Sequence, residues 1–229
     1  MNQEQKALET EHRAWLMVKG CSAVVLAAGA SVRLGQPKAL VPVADTTLVG
    51  LAVRRLIAAG CSPVYVVTRQ SLQFEVMLQC EGATVVVNKD PEQGRTGTLQ
   101  QGLMAAMGDT GRLPRRLIIA PVDRPGWDVT HVRQLLSQST TSTLSCNGKP
   151  GHPLILHSPD VETVLAAAPE TPLRDLIAPA YVEVNAPHLS LNIDTQEDLT
   201  LLASIDFEVQ FRASCRDGNG ISERLEGGA

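Results

Sequence analysis

Two cations, Arg33 and Lys38, stand five positions apart behind an apolar run that ends in small residues, SAVVLAAGASVRLGQPKAL. The run from Ala23 to Ala28 has the length of one buried strand. Small residues at its end let backbone N–H groups approach a ligand closely, and concave rings of such groups bind anions. Arg33 and Lys38 would add charge to that cradle. The chemistry this suits is the holding of a triphosphate. Far along the chain, Asp123 follows the apolar run Arg116–Pro121 in PVDRPGWD. A carboxylate at the end of a central strand is a good ligand for Mg²⁺, which prefers oxygen. Each feature also has a plain structural reading: a glycine turn, and an aspartate opening a turn before Pro125. The loop is not a Walker A motif, since no Gly-Lys-Ser/Thr follows, and Gly29 and Gly35 alone do not make GxGxxG.

The elements that must position these residues alternate. Strands are expected at Ala23–Ala28, Val64–Thr68, Thr84–Val87 and Arg116–Pro121. Helical spacing of apolar residues occupies Leu48–Ala59, Leu72–Gln79 and Leu99–Met107, with Gly60 and Gly82 where helices stop. Strand–helix alternation with runs such as VYVV and LIIA predicts a mostly parallel sheet between two helical layers. Ligands of such sheets sit at the carboxyl ends of the strands. There the chain places Thr68 and Arg69, then Asn88, then KDPEQGRTGTLQQGL. Gly94 to Thr98 reads as a flexible segment that closes over base and ribose, or as an ordinary helix cap. Asp128 reads as the N-cap of a helix over Val129–Leu136. Ser142–Cys146 and Leu154–His157 read as a hairpin whose Gly148–His152 turn projects toward the site, with His157 an ordinary strand-end residue. Helices are expected over Val161–Ala168 and Leu173–Ile177, fenced by Pro169, Pro172 and Pro179. Val182 and Val184 read as an edge or antiparallel strand. Asn192 and Asp194 end a further strand on one face, and Thr195 with Asp198 forms a capping pattern.

The chain has 229 residues, 44% hydrophobic and 19% charged, with a net charge of −4. That suits one domain with short appendages and a substantial core. It argues against nucleic-acid binding, which needs a basic face, and 3% aromatic content leaves few stacking platforms. Five scattered cysteines without a C-x-x-C pair point to reduced thiols in a cytoplasmic protein. No run reaches bilayer length. Three parts are expected: an N-terminal helical arm over 1–21, a main α/β domain over 22–205, and a polar C-terminal tail over 206–229.

LAAGASVRLGQPKAL resembles the signature loop of the MobA-like nucleotidyltransferases, roughly LAAGxSxRxGxxK, and is closest to the branch that makes the cytidylyl form of molybdenum cofactor. The segment from Asn88 through Gly94 and Thr98, Asp123-x-Pro, GHPLIL and NIDTQEDL resemble further family segments in the same order. Thr98 replaces the usual Ser, Arg124 stands where relatives often carry Gln or Met, and Pro172 and Leu173 depart from the pattern around Arg174. The resemblance covers roughly residues 22 to 203. It implies a three-layer α/β/α Rossmann-like nucleotidyltransferase fold with a small β-hairpin insertion. It implies nucleotide contacts from Leu26, Ala27, Ala28, Gly29, Ala30, Ser31, Arg33, Lys38, Thr68, Asn88, Gly94 and Thr98, with Arg33, Lys38 and Asp123 catalytic. Mg²⁺, or Mn²⁺, would be held by Asp123 with Asp194 and Asn192. The acceptor would meet His152 and Arg174. The implied reaction moves a nucleoside monophosphate, CMP from CTP, to the phosphate of molybdopterin, and a molybdoenzyme or its chaperone would be a partner. Alternatives are a guanylyltransferase, a transferase for another phosphorylated small acceptor, and a catalytically silent nucleotide-binding module. The protein would be a monomer or homodimer.

Overall fold

The computed structural model describes residues 20–207 together with 211, 213 and 215. The expected N-terminal arm lies almost wholly outside the described residues. Of the expected tail, Asp206, Phe207, Phe211, Ala213 and Cys215 are described, and Phe207 is buried.

The first strand, β1 (Ser22–Ala27), is buried along its whole length. A short hairpin, β2 (Pro42–Val43) and β3 (Thr46–Thr47), leads into α1 (Leu48–Ala59). Then come β4 (Val64–Arg69), α2 (Gln73–Gln79), β5 (Thr84–Asn88), α3 (Gly94–Thr110), β6 (Arg116–Pro121) and α4 (Val129–Leu136). The second half adds β7 (Ser142–Cys146), β8 (Lys149–His157), α5 (Ser158–Ala166), α6 (Leu173–Leu176), β9 (Ala180–Glu183) and α7 (Gln196–Ala203).

Seven strands form one sheet in the order β5-β4-β1-β6-β8-β7-β9. β5, β4, β1 and β6 run parallel, β8 is antiparallel to both β6 and β7, and β9 is parallel to β7. The expected hairpin is thus built into the main sheet. Its turn is the tight pair Asn147–Gly148, both at positive φ. β9 is the expected edge strand. Alternation sends β1's side chains to two cores. Ala23, Val25 and Ala27 join Leu48, Leu51 and Leu56 of α1 and Val132 and Leu135 of α4. Val24 joins Leu99 and Leu103 of α3 and Val161 and Val164 of α5 on the other face. Each fully buried Leu or Val contributes roughly 1.5–3 kcal/mol, so both helical layers are held mainly by this burial.

The chain moves outward from β1 to β4 and β5, then returns to β6 on β1's other side. Strand order therefore reverses between β1 and β6, where open α/β sheets leave a crevice. Gly102 sets how closely α3 approaches it. A Cβ there would lie 2.8 Å from both Val24 methyl carbons, so only glycine lets the helix rest on β1 and β4. α3 begins at Gly94, earlier than the expected Leu99. Gly94–Thr98 is thus the first helical turn, not a flexible flap. Asn192 and Asp194 do not end a strand. Residues 190–194 are irregular, because their lateral partner is a loop, joined by the Ile193 N–H donating to the Asp123 carbonyl at 2.9 Å.

Candidate active site

The crevice is walled by the β1 loop, the start of α3 and the loop after β6. A cavity of about 230 Å³ is lined by Leu26, Ala27, Ala28, Gly29, Ala30 and Ser31, with Lys38, Gly94, Arg95, Thr98 and Asp123 among the remainder. Small side chains leave the β1 loop's backbone close to this space. Ser31, at φ 54°, turns the loop, and its hydroxyl oxygen accepts from the Lys38 backbone N–H at 3.0 Å. That bond ties the two ends of the loop together. The N-terminus of the 17-residue α3 faces the same cavity and favours an anion there.

Charge converges at one corner. The Lys38 ammonium pairs with the Asp194 carboxylate and lies 3.7 Å from Asp123. Arg33 reaches Asp194 at 3.0 Å, and Arg95 reaches Asp123 at 3.8 Å. Hydrogen bonding from Lys38 and Asn192, with charge from Lys38 and Arg33, holds the Asp194 carboxyl below the usual carboxylate range. Residues more than 150 positions apart thus meet around one ammonium. The Asp194 segment is seated by the Ile193–Asp123 bond and by a capping box at α7, where Thr195 and Asp198 bond each other's backbone N–H groups. Asp198 also accepts from the Asp194 N–H at 2.9 Å, which anchors the loop immediately beside the site.

Among the described residues, no group of three or more His, Cys, Asp or Glu side chains could hold a metal. The donor set nonetheless fits Mg²⁺ or Mn²⁺. Asp123 and Asp194 lie within reach of one common cation, Lys38, and so of each other's neighbourhood. Asn192 donates its amide to Asp194, and its Oδ1 is buried with no hydrogen-bond partner. Two carboxylates and one orphaned oxygen suit a cation that completes its shell with substrate phosphates and water.

The remaining expected residues divide. Thr68 and Asn88 are buried behind the cavity and do not line it. Thr68 bonds the Ala27 carbonyl at 3.4 Å, and the Asn88 amide donates to the Thr98 hydroxyl at 3.1 Å. Thr98 in turn donates to the Gly94 carbonyl at 2.9 Å, which closes the first turn of α3. Arg33 is largely exposed and reaches the site only through Asp194. His152 and Arg174 fall in a second cavity of about 870 Å³, which shares Leu26, Pro121 and Arg95 with the first. The rest of its wall is mostly apolar, including Ile119, Leu154, Leu173, Ile177 and Pro179. Burial, with Arg95 and Arg124 nearby, pushes the His152 imidazole down to about 4. It is therefore neutral at pH 7, and its Nδ1 is buried without a partner.

Several working residues carry roles that the sequence did not give them. Arg69 donates from Nε and Nη2 to the Ala28 carbonyl at 3.2 and 2.9 Å, fixing the β1 loop from β4. Arg55 is fully buried and donates to the Pro125 carbonyl at 2.7 Å beneath the rings of Trp127 and Phe207. It pins the loop that carries Asp123. Its signal is legible, since Arg55 sits on α1's apolar stripe with Leu48, Ala52 and Ala59. Gly126 admits the 188–194 segment to the same loop, because a Cβ there would lie 1.7 Å from the His188 carbonyl oxygen. Arg95 is the remaining one.

Comparison with known proteins gives one family match, to the MobA-like NTP transferase domain, over residues 23–185. Nicotine blue oxidoreductase of Paenarthrobacter nicotinovorans is 32% identical over 145 residues, 58% of this chain and 69% of that one. Molybdenum cofactor cytidylyltransferase of Escherichia coli K12 is 24% identical over 182 residues, 76% of this chain and 91% of that one. The solved structure of Rv0371C in complex with manganese, from Mycobacterium tuberculosis H37Rv, superposes with a TM-score of 0.66 at 20% identity. That alignment covers 81% of this chain and all of the other.

Proposed function

This chain belongs to the MobA-like NTP transferase family, and from that premise we propose that it transfers CMP from CTP to the phosphate of molybdopterin, releasing pyrophosphate. The observation that carries the reading is Lys38 held between Asp123 and Asp194 at the mouth of a small-residue phosphate cradle. The cytidylyltransferase relative supports the choice of substrates.

Backbone N–H groups of Ala28 to Ser31 and the start of α3 would receive the triphosphate. Lys38, with Arg33 beside it, would lie along the phosphates that become the leaving group. Asp123, Asp194 and Asn192 would hold Mg²⁺ or Mn²⁺, which when bound neutralises phosphate charge and helps align the α-phosphorus. The acceptor phosphate enters from the second cavity. One of its oxygens forms the new P–O bond as the bond from the α-phosphorus to the bridging oxygen breaks, and pyrophosphate carries that electron pair away. The nucleophile is already an anion, so no general base is required, and a neutral His152 is compatible with this. Catalysis rests on alignment and charge neutralisation.

The test is pyrophosphate release with each of the four triphosphates, with and without molybdopterin. Release with CTP that depends on molybdopterin is the expected outcome. Release with GTP instead would transfer the reading to guanylyl transfer. A second reading follows from the relative named nicotine blue oxidoreductase: the cavities would hold a dinucleotide and a flat aromatic dye. Two carboxylates around one lysine beside a small-residue cradle match the metal and phosphate needs of nucleotidyl transfer, which favours the transferase. Reduction of nicotine blue by a reduced dinucleotide, with no pyrophosphate from any triphosphate, would reverse that choice.

A further inference from the structure

Nucleotidyl transfer to a phosphate brings two anions together. The acceptor phosphate must come within about 3–3.5 Å of the α-phosphorus of a polyanion. A fixed cation where the two substrates meet would offset that repulsion from the acceptor's side. The wall between the two cavities consists of Leu26, Pro121 and Arg95, the residues that line both. Leu26 and Pro121 are paired neighbours at the ends of β1 and β6 and carry no charge. Arg95 alone of the three is cationic. Its guanidinium lies 3.8 Å from Asp123, so it stands beside the carboxylate expected to organise the α-phosphate. It is also the second residue of α3. A cation there opposes the helix dipole, and the pairing with Asp123 is the contact that offsets this cost. Its side chain is 59% exposed, so it props up no core.

On the acceptor side the wall continues with Arg124 and His152. Arg124 donates to the Ser190 carbonyl at 3.4 Å, and its Nε is buried without a partner. Beyond this polar rim the wall is mostly apolar, with Glu170 and Arg174 its remaining charged residues. The cavity therefore suits a molecule with an anionic end directed at Arg95 and a flat or apolar body behind.

We propose that Arg95 is a catalytic residue that grips the acceptor's phosphate and neutralises it against the α-phosphate, with Arg124 supporting it from the acceptor side. The inference deepens the transferase reading and rests on it for the turnover arm alone. The planar guanidinium can donate to both phosphates at once, which an ammonium does less well.

The test compares the wild type with Arg95→Ala and Arg95→Lys. Binding is followed by saturation-transfer NMR with phenyl phosphate and phenol as probes of the second cavity. Phenyl phosphate should bind the wild type and lose about tenfold or more in affinity in Arg95→Ala, with partial recovery in Arg95→Lys, while phenol is unaffected. In turnover, kcat should fall by about 10²-fold in Arg95→Ala while KM for the triphosphate stays within about threefold. Equal phenyl phosphate affinity in wild type and Arg95→Ala, or a wild type that does not bind it, overturns the proposal. So does full turnover in Arg95→Ala. A wild type that releases no pyrophosphate from any triphosphate counts against the transferase reading instead, and the binding comparison still decides the anion seat.

Discussion

Lys38 is the residue on which the site turns. It contacts both carboxylates and is tied through its backbone to Ser31. Charge on the departing pyrophosphate grows in the transition state, so losing this cation should slow turnover more than it weakens ground-state binding. Lys38→Ala is expected to lower kcat by about two orders of magnitude, read as steady-state pyrophosphate release. Near-normal turnover would remove Lys38 from the mechanism. His152 offers a test of a different kind. Its imidazole titrates near 6.5 when unfolded, and burial beside Arg95 and Arg124 pushes it down to about 4 in the fold. The unfolded chain therefore binds the proton more readily. The stability this group contributes is full above pH 6.5 and is lost as pH falls from there toward 4. Urea denaturation across that window should show a decline that is shallower in His152→Gln. An identical pH dependence in the two proteins would contradict a buried neutral imidazole.

At the scale of elements, the loop after β6 is the joint of the site. It carries Asp123, receives the 188–194 segment through the Ile193–Asp123 bond, and is pinned from beneath by Arg55. Gly126 makes the close approach feasible, since any side chain there would strike the His188 backbone. Gly126→Ala must push the two segments apart. We expect a loss of about 1–3 kcal/mol, the range of overpacking in a filled interior, measured by denaturant titration. Activity should fall further than stability explains, because the two segments pushed apart carry Asp123 and Asp194. A Gly126→Ala variant with wild-type activity would show that the approach is not needed. Arg55 makes the same joint from inside the core. Its removal takes the charged donor from the Pro125 carbonyl, which keeps only the Trp127 N–H at 2.9 Å, at a cost of about 1.5–3 kcal/mol.

The whole molecule places a small-residue cavity that holds Lys38 and Asp123, and a larger, mostly apolar one, on either side of Leu26, Pro121 and Arg95. The first can be tested through its expected cation. Chelation with EDTA should abolish pyrophosphate release, and Mg²⁺ or Mn²⁺ should restore it. Mn²⁺ with CTP should raise the melting temperature of the wild type and leave Asp123→Asn unchanged, following the linkage between ligand binding and stability. An equal rise in both proteins would move the metal away from Asp123.

Much of this was legible in the chain itself. The continuous apolar runs in SAVVLA and LIIAP announced central strands, and the strand–helix alternation announced the layered fold. Local composition also marked Arg33, Lys38 and Asp123, because phosphates and hard cations demand those groups in small-residue loops and at strand ends, whereas Asp194 was marked by the family resemblance. Arg55 could have been found, as a cation on an apolar helical stripe. What local pattern does not carry is distance. Sequence placed Thr68 and Asn88 at strand ends, and only packing turned them to the back of the cavity. Sequence left Gly94–Thr98 as either a flexible segment closing over the nucleotide or a helix cap, and Gly102 resting on Val24 and the Thr98–Gly94 bond make it the first helical turn. Arg95 has no periodic signature, and its meaning comes from standing between two cavities that residues from several distant segments enclose. Side-chain chemistry and short-range periodicity belong to the sequence. Which groups share a wall belongs to the crossover from β5 back to β6, which brings Lys38 to Asp123 and Asp194.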